Sequence, residues 1–210
     1  MSSPAGGPGT PALPALPPRR EDRPGADAYA IAVVCLGNIC RSPTAHVVLE
    51  ACLEDAGVGD RVRVSSAGTG GWHVGAPMDR RAAATLSGSG YDPSGPRAEQ
   101  FEEDWFARHD LVLAMDPDNL ADLRELAAAA ERRGTDVGED RLRLFRDFDP
   151  EIADAAASSG DGGSVSTADP RDRIVPDPYY GGEDGFAEVL AMVERTSGAL
   201  AHAVADLLTE

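Results

Sequence analysis

In this 210-residue sequence, the residues that could form a nucleophile and an anion-binding loop are concentrated between Cys35 and Ser42. Cys35 ends an apolar run, and a loop containing Gly37 and Asn38 separates it from Arg41. Backbone N–H groups in a loop of this length can converge on one point, and a following helix adds the positive end of its dipole. Such a field favours the thiolate form of a cysteine, and a guanidinium binds phosphate oxygens in pairs. The pattern predicts a thiolate nucleophile at the floor of an oxyanion site.

Cys35 also has a plainer interpretation. Cysteine is among the most commonly buried residue types, and a strand end often carries one as a small apolar side chain. The loop that follows favours the functional interpretation. Gly37 permits close approach of the backbone, Asn38 tolerates a left-handed conformation, and Ser42 can donate its hydroxyl to a thiolate. We therefore interpret Cys35 as a nucleophile.

Apolar runs alternate with helical patterns along the chain. Strands are predicted at 29–34, 61–65, 111–115 and 141–145. Helices are predicted from 42 to a stop at Gly57, and at 79–87, 99–108, 117–132 and 183–208. The alternation predicts an α/β fold, with one doubly wound domain, a four-stranded parallel sheet and helices on both faces. Ligands bind such sheets at the carboxyl ends of the strands, which is where Cys35 is expected.

Two segments lack the periodicity of a folded element. Residues 1–28 are rich in Pro, Ala and Gly, and we predict a disordered extension ahead of a domain at 29–210. Residues 155–173 are of low complexity and predict a flexible insertion. The insertion lies shortly before Asp177 and could gate a cleft, although a passive loop is the simpler interpretation.

The composition restricts partners and compartment. The formal net charge is −17, and all 19 basic residues are arginine, which argues against nucleic acid and anionic membranes as main partners. Three clustered cysteines do not form a secreted disulfide framework and fit a reducing compartment. No apolar run is long enough to span a membrane. We expect a soluble, cytoplasmic monomer.

Three separated motifs carry a resemblance to a known family. The first is VCLGNICRSP around Cys35, the second is SAGTGGWHVG at 66–75, and the third is DPYYG at 177–181. Met115-Asp116, after the third predicted strand, adds a fourth point of similarity. In this order the motifs resemble those of the low-molecular-weight protein tyrosine phosphatases. The resemblance covers residues 29–210 apart from the insertion.

The resemblance implies a role for each matching residue. Cys35 would attack the phosphorus of a phosphotyrosine in a protein or peptide and form a cysteinyl-phosphate intermediate. Asp177 would protonate the leaving tyrosyl oxygen and then activate water, with no metal or cofactor. The phosphate would be bound by the loop residues Leu36, Gly37, Asn38, Ile39, Cys40, Arg41 and Ser42.

The resemblance also implies that Trp72, Tyr179 and Tyr180 line the substrate pocket. Each of these assignments has an ordinary alternative. Asp177-Pro178 is a common turn pair on a solvated loop, and aromatic side chains are more often core than pocket. His73 is interpreted as structural, because the mechanism already has its acid.

Cys40 matches the second cysteine of the family loop. The resemblance implies a reversible disulfide with Cys35 that protects the nucleophile from over-oxidation. The alternative is a small residue that simply fits the loop. In one place the sequence departs from the family pattern. Pro96 stands where the family commonly has a histidine that supports the loop asparagine, which leaves the support of Asn38 open.

The sequence disfavours three other functions. A thioredoxin-coupled arsenate reductase shares this loop but needs a distal pair of cysteines, and none follows Cys52. The phosphoarginine phosphatases have a threonine at the position of Ile39, whereas isoleucine favours an aryl phosphate. A phosphotyrosine-binding module without catalysis is disfavoured because Cys35, Arg41 and Asp177 are all present.

Overall fold

The computed structural model describes residues 13–21, 27–153, 170–180 and 182–209. The strands of the described chain are β1 (Tyr29–Cys35), β2 (Val62–Gly68), β3 (Leu111–Ala114) and β4 (Leu142–Leu144). The α-helices that flank them are α1 (Arg41–Asp55), α2 (Arg80–Gly88), α3 (Trp105–Arg108), α4 (Pro117–Arg132) and α5 (Glu183–Thr209). None of the described helices combines the length and apolarity needed to cross a membrane.

The four strands form one parallel sheet in the order β2-β1-β3-β4. β1 is therefore a central strand, which explains why all seven of its residues are buried and why its sequence is a continuous apolar run. The order reverses direction at β1, and ligands of doubly wound sheets bind at such a switch point. The predicted four-stranded parallel sheet is confirmed.

The two faces of the sheet bury separate hydrophobic clusters. Ile31 and Val33 of β1 point towards α1, α2 and α5, where Val193 is fully buried with them. The alternate residues Ala32 and Val34 point towards α3 and α4 and pack with Leu123. This period-two alternation places helices on both faces, as predicted.

Two predicted elements are shorter in the structure. The helix expected at 99–108 is confined to α3, because Gly68 donates its N–H to the carbonyl oxygen of Glu99 and accepts the N–H of Phe101, both at 2.8 Å. Those bonds hold residues 99–101 extended beside β2. The fourth strand ends at Leu144 and is followed by a 3₁₀ turn, Phe145–Phe148, in which Asp147 accepts the N–H of Leu144.

Part of the N-terminal extension is ordered. Tyr29 donates its hydroxyl to the carbonyl oxygen of Pro17 at 2.9 Å, and the Arg20 N–H donates to the carboxylate of Asp110 at 2.6 Å. Leu16 packs against the core. Residues 13–21, part of the extension that was predicted to be disordered, therefore pack on the domain through polar and apolar contacts. Residues 1–12 and 22–26, and most of the predicted insertion (154–169), lie outside the described residues.

Candidate active site

The loop between β1 and α1 surrounds the sulfur of Cys35. This side chain is 3% exposed at the carboxyl end of the central strand. Its Sγ accepts hydrogen bonds from the backbone N–H of Asn38 at 3.3 Å and from the hydroxyl of Ser42 at 3.1 Å. Both donors stabilise negative charge on the sulfur, and α1 begins directly after the loop. The geometry suits a thiolate nucleophile.

Asn38 holds the shape of the loop from below. It is the non-glycine residue with positive φ, 53°, among the described residues. Its Nδ2 donates to the hydroxyl of Ser42 at 2.8 Å, and its Oδ1 accepts the backbone N–H of Glu99 at 2.8 Å. The support that Pro96 left open is thus supplied by the backbone three residues further along the chain.

Arg41 is a buried cation between two carboxylates. It is 3% exposed and donates through Nη1 to Asp116 and to the carbonyl oxygen of Val175, and through Nη2 to Asp177 at 3.0 Å. Burial by itself lowers the pKa of this guanidinium, but the sulfur of Cys35 and the two carboxylates outweigh it, so the pKa is raised. Arg41 is therefore charged and fixed in place before any ligand arrives.

The carboxylate of Asp177 faces Arg41 from the loop that precedes α5. One of its oxygens accepts the backbone N–H of Tyr179 at 3.0 Å, which folds the loop back and orients the side chain. The side chain is 38% exposed, so it can reach both the cavity and solvent. A carboxyl group in this position can exchange a proton with a ligand bound over Cys35.

A cavity of about 320 Å³ opens above Cys35. Its walls are formed by Leu36, Gly37, Ile39, Cys40, Arg41, Trp72, His73, Asp177, Tyr179 and Tyr180. Three aromatic side chains of this wall are exposed rather than part of the core, with exposed fractions of 73% for Trp72, 41% for Tyr179 and 91% for Tyr180. The structure thus brings the predicted nucleophile, arginine, carboxylate and aromatic residues together. Asn38 and Ser42 lie beneath the loop instead of lining the cavity.

Three residues contribute to this site in ways that the sequence patterns did not predict. Asp116, which was named for the similarity of Met115-Asp116, caps α4 by accepting the N–H of Asn119 at 2.7 Å and also pairs with Arg41. His73 lines the cavity beside Gly37. Gly68 packs under the loop. The position of Asp116 after β3 could have indicated that it contributes to the site, since the carboxyl ends of neighbouring parallel strands meet at one edge of the sheet.

Gly68 has no room for a side chain. A Cβ atom there would lie 2.7 Å from the carbonyl oxygen of Leu36 and 3.1 Å from the nitrogen of Asn38. We expect Gly68→Ala to lower the free energy of unfolding by about 1–3 kcal/mol and to reduce turnover, because the loop backbone must move. Thermal unfolding and steady-state kinetics measure both effects. Gly88→Ala is the control, since its Cβ would meet nothing within 4 Å. Equal behaviour of the two variants would contradict this role.

Cys40 is a thiol rather than a thiolate at neutral pH. Burial raises its pKa to about 12, and the negative groups of Asp79, Cys35 and Asp177 act in the same direction. Because the pKa is raised, the thiolate fraction increases only as the pH approaches that value. At pH 8 we expect iodoacetamide to label Cys40 at least about tenfold more slowly in the folded protein than after unfolding. Quenched labelling with peptide mass analysis measures both rates, and equal rates would exclude this protonation state.

Among the residues that the structure describes, no group of three or more His, Cys, Asp or Glu side chains is arranged to hold a metal ion. The three cysteines are unpaired.

Fold and site together define an α/β protein that holds a cysteine at the floor of an oxyanion loop, the arrangement that cysteine-dependent phosphatases use. The chain belongs to the low molecular weight phosphotyrosine protein phosphatase family, whose model matches residues 30–161.

Several relatives and solved structures are similar to this chain. The low molecular weight protein-tyrosine-phosphatase of Streptomyces coelicolor is 44% identical over 178 residues, which cover 85% of this chain and 94% of the relative. Phosphatase A of Mycobacterium tuberculosis is 38% identical over 169 residues, covering 80% and 87%. The Entamoeba histolytica protein tyrosine phosphatase, crystallised with Hepes in its active site, superposes with a TM-score of 0.64 at 26% identity, covering 82% and 94%.

A further solved structure limits what the fold can decide. The Drosophila arginine phosphatase superposes with a TM-score of 0.65 at 24% identity, covering 81% of this chain and 94% of its own. At that identity the likeness concerns the fold alone. The leaving group must therefore be argued from the site.

Proposed function

We propose that this protein hydrolyses phosphotyrosine in proteins or peptides through a cysteinyl-phosphate intermediate. One observation carries the proposal: the sulfur of Cys35, the guanidinium of Arg41 and the carboxylate of Asp177 lie around one cavity, and Arg41 contacts Asp177 at 3.0 Å. Membership of the phosphatase family supports the same reaction.

In the first step, the thiolate of Cys35 attacks phosphorus and the bond to the tyrosyl oxygen breaks. Arg41 and the loop N–H groups of residues 36–41 bind the phosphoryl oxygens, and their bonds strengthen as charge develops on those oxygens. Asp177, protonated, gives its proton to the leaving oxygen, so that tyrosine departs neutral.

In the second step, water attacks the phosphorus of the cysteinyl phosphate. Asp177, now a carboxylate, accepts a proton from that water, and the sulfur leaves as a thiolate. The hydroxyl of Ser42, 3.1 Å from Sγ, stabilises the departing negative charge. Phosphate is released, which leaves Cys35 as a thiolate and Asp177 protonated, as they were before the first step.

The shape of the cavity favours an aryl substrate. The exposed faces of Trp72 and Tyr179 can flank a ring, and Ile39 adds an apolar wall. A phosphoserine side chain carries no ring to occupy the space between these walls. Phosphoarginine presents a polar guanidino group to the apolar wall.

Initial rates on peptides with phosphotyrosine, phosphoserine or phosphoarginine test the substrate class. We expect kcat/KM to be highest for phosphotyrosine by at least about tenfold, which corresponds to about 1.4 kcal/mol. A higher kcat/KM for the phosphoarginine peptide would indicate an arginine phosphatase instead. Stoichiometric phosphopeptide binding without turnover would instead indicate a binding module.

We further propose that the enzyme acts as a cytoplasmic monomer and that Cys40 guards Cys35. The three free cysteines and the acidic charge of −17 support a reducing compartment and substrates other than nucleic acid. Peroxide would oxidise Cys35 to a sulfenic acid, which condenses with the Cys40 thiol to a disulfide and water. Mass analysis of peroxide-treated protein tests this, and a Cys35 sulfinic acid without the disulfide would exclude the guard.

A further inference from the structure

The backbone that leads to Asp177 is held by an arginine outside the cavity. Arg146 lies in the 3₁₀ turn after β4 and is 8% exposed. Its Nη1 donates to the carbonyl oxygens of Asp172 at 2.8 Å and of Ile174 at 3.1 Å. One buried side chain thus anchors two carbonyl groups that lie five and three residues ahead of the carboxyl group of Asp177.

Arg146 is itself oriented by a buried carboxylate. Its Nε donates to Asp149 at 3.0 Å, and Asp149 is fully buried. The same carboxylate accepts two bonds at 2.8 Å from Nε and Nη2 of Arg195 in α5. Burial raises the pKa of Asp149, but the two guanidiniums outweigh it, so the pKa is lowered and the group stays ionised. The network therefore joins the turn after β4, the loop before Asp177 and the C-terminal helix.

Little freedom remains between the anchor and the acid. The N–H of Val175 donates to the carbonyl oxygen of Met115 at 2.9 Å, which attaches the loop to the end of β3. Pro176 and Pro178 flank Asp177 and restrict its backbone. Because the loop is anchored at residues 172, 174 and 175, the direction of the Asp177 side chain is restricted as well.

We propose that Arg146, oriented by Asp149 and Arg195, is a positioning residue that holds Asp177 where it can protonate the leaving group. The inference rests on the proposed acid role of Asp177. Arg146 does not line the cavity, and Arg41 keeps its separate contact with Asp116, so the removal of Arg146 affects proton transfer by Asp177 more than phosphate binding by Arg41.

A comparison of two leaving groups distinguishes an effect on proton transfer from an effect on phosphate binding. Tyrosine needs a proton on departure, whereas the more acidic 4-nitrophenol departs without one. For Arg146→Met we expect kcat/KM on a phosphotyrosine peptide to fall at least about tenfold, and kcat/KM on 4-nitrophenyl phosphate to change by less than about threefold. Arg146→Lys keeps the charge but offers a point donor instead of a planar fork, and we expect an intermediate ratio.

Arg141→Met is the matched control. Arg141 is also a largely buried arginine that donates to a backbone carbonyl, that of Asp110 at 3.1 Å, but it lies at the opposite end of the sheet. Its removal should destabilise the fold without changing the ratio of the two substrates. Thermal unfolding of each variant compares the loss of stability.

The outcomes distinguish this proposal from the proposed function. The deciding quantity is kcat/KM on the phosphotyrosine peptide divided by kcat/KM on 4-nitrophenyl phosphate. If Asp177→Ala shifts this ratio and Arg146→Met leaves it at the wild-type value, the positioning role is overturned and the acid role stands. If Asp177→Ala leaves the ratio unchanged, the acid role itself is wrong. If Arg146→Met does not fold, Arg146→Lys decides, because a wild-type ratio in that variant overturns the positioning role.

Discussion

Cys35→Ser is expected to lose turnover of phosphotyrosine peptides by about a thousandfold or more. A serine hydroxyl in this position is protonated, and the groups in contact with the sulfur, the Asn38 N–H and the Ser42 hydroxyl, act there as donors and not as a base. The fold should be retained, since the change replaces a single atom. Binding of inorganic phosphate should therefore persist while catalysis is lost.

Cys52→Ser is the matched control for this variant. Cys52 is a free, half-buried cysteine in α1 that does not line the cavity, and its replacement should leave kcat near the wild-type value. Rapid acid quenching followed by mass analysis should find a phosphoryl group on the Cys35 peptide of the wild type and of Cys52→Ser, and none on the corresponding peptide of Cys35→Ser. Turnover by Cys35→Ser at the wild-type rate would remove the covalent mechanism.

Asp177→Ala is expected to lower kcat/KM for phosphotyrosine by about 10²–10⁴, the usual contribution of a positioned acid. The loss for 4-nitrophenyl phosphate should be smaller than about tenfold, because its leaving group needs no proton. Initial rates on both substrates over a range of substrate concentrations measure these values of kcat/KM.

Asp172→Ala is the control on the same loop. Its carboxylate is exposed, and it is its backbone carbonyl that accepts a hydrogen bond from Arg146. The substitution should therefore leave kcat/KM for both substrates unchanged. If Asp177→Ala lowered kcat/KM on the two substrates by the same factor, Asp177 would be acting through Arg41 or the loop rather than as the acid.

The elements that position the nucleophile could be predicted because their signals are local. A continuous apolar run identifies a buried parallel strand, and Cys35 ends it, which the structure confirms for β1 and its central place in the sheet. The helix predicted at 99–108 is limited to 105–108 in the structure, because pairing of 99–101 with Gly68, some thirty residues earlier, outweighs local propensity.

The candidate site divides in the same way. Residue types and spacing selected Cys35 and Arg41, since both lie in a short loop whose chemistry can be judged from its neighbours in the chain, whereas the acid role of Asp177 was implied by the resemblance of DPYYG to the family motif. The second partner of Arg41, Asp116, could not be identified so directly, because 75 residues separate the two. An ion pair at that separation depends on which strands are adjacent.

From its sequence alone, this protein could be predicted to have a doubly wound fold and a thiolate in an oxyanion loop, and its resemblance to the phosphatase family implied an acid on a later loop. The first two predictions depend on contiguous residues, whose periodicity and dihedral preferences act locally. Only the tertiary structure decided that 13–21 pack on the domain and that Arg41 is shared by two carboxylates. It also decided that Asp149 binds both Arg146, three residues earlier, and Arg195, 46 residues later, because buried charges find partners according to distance in space and not in sequence.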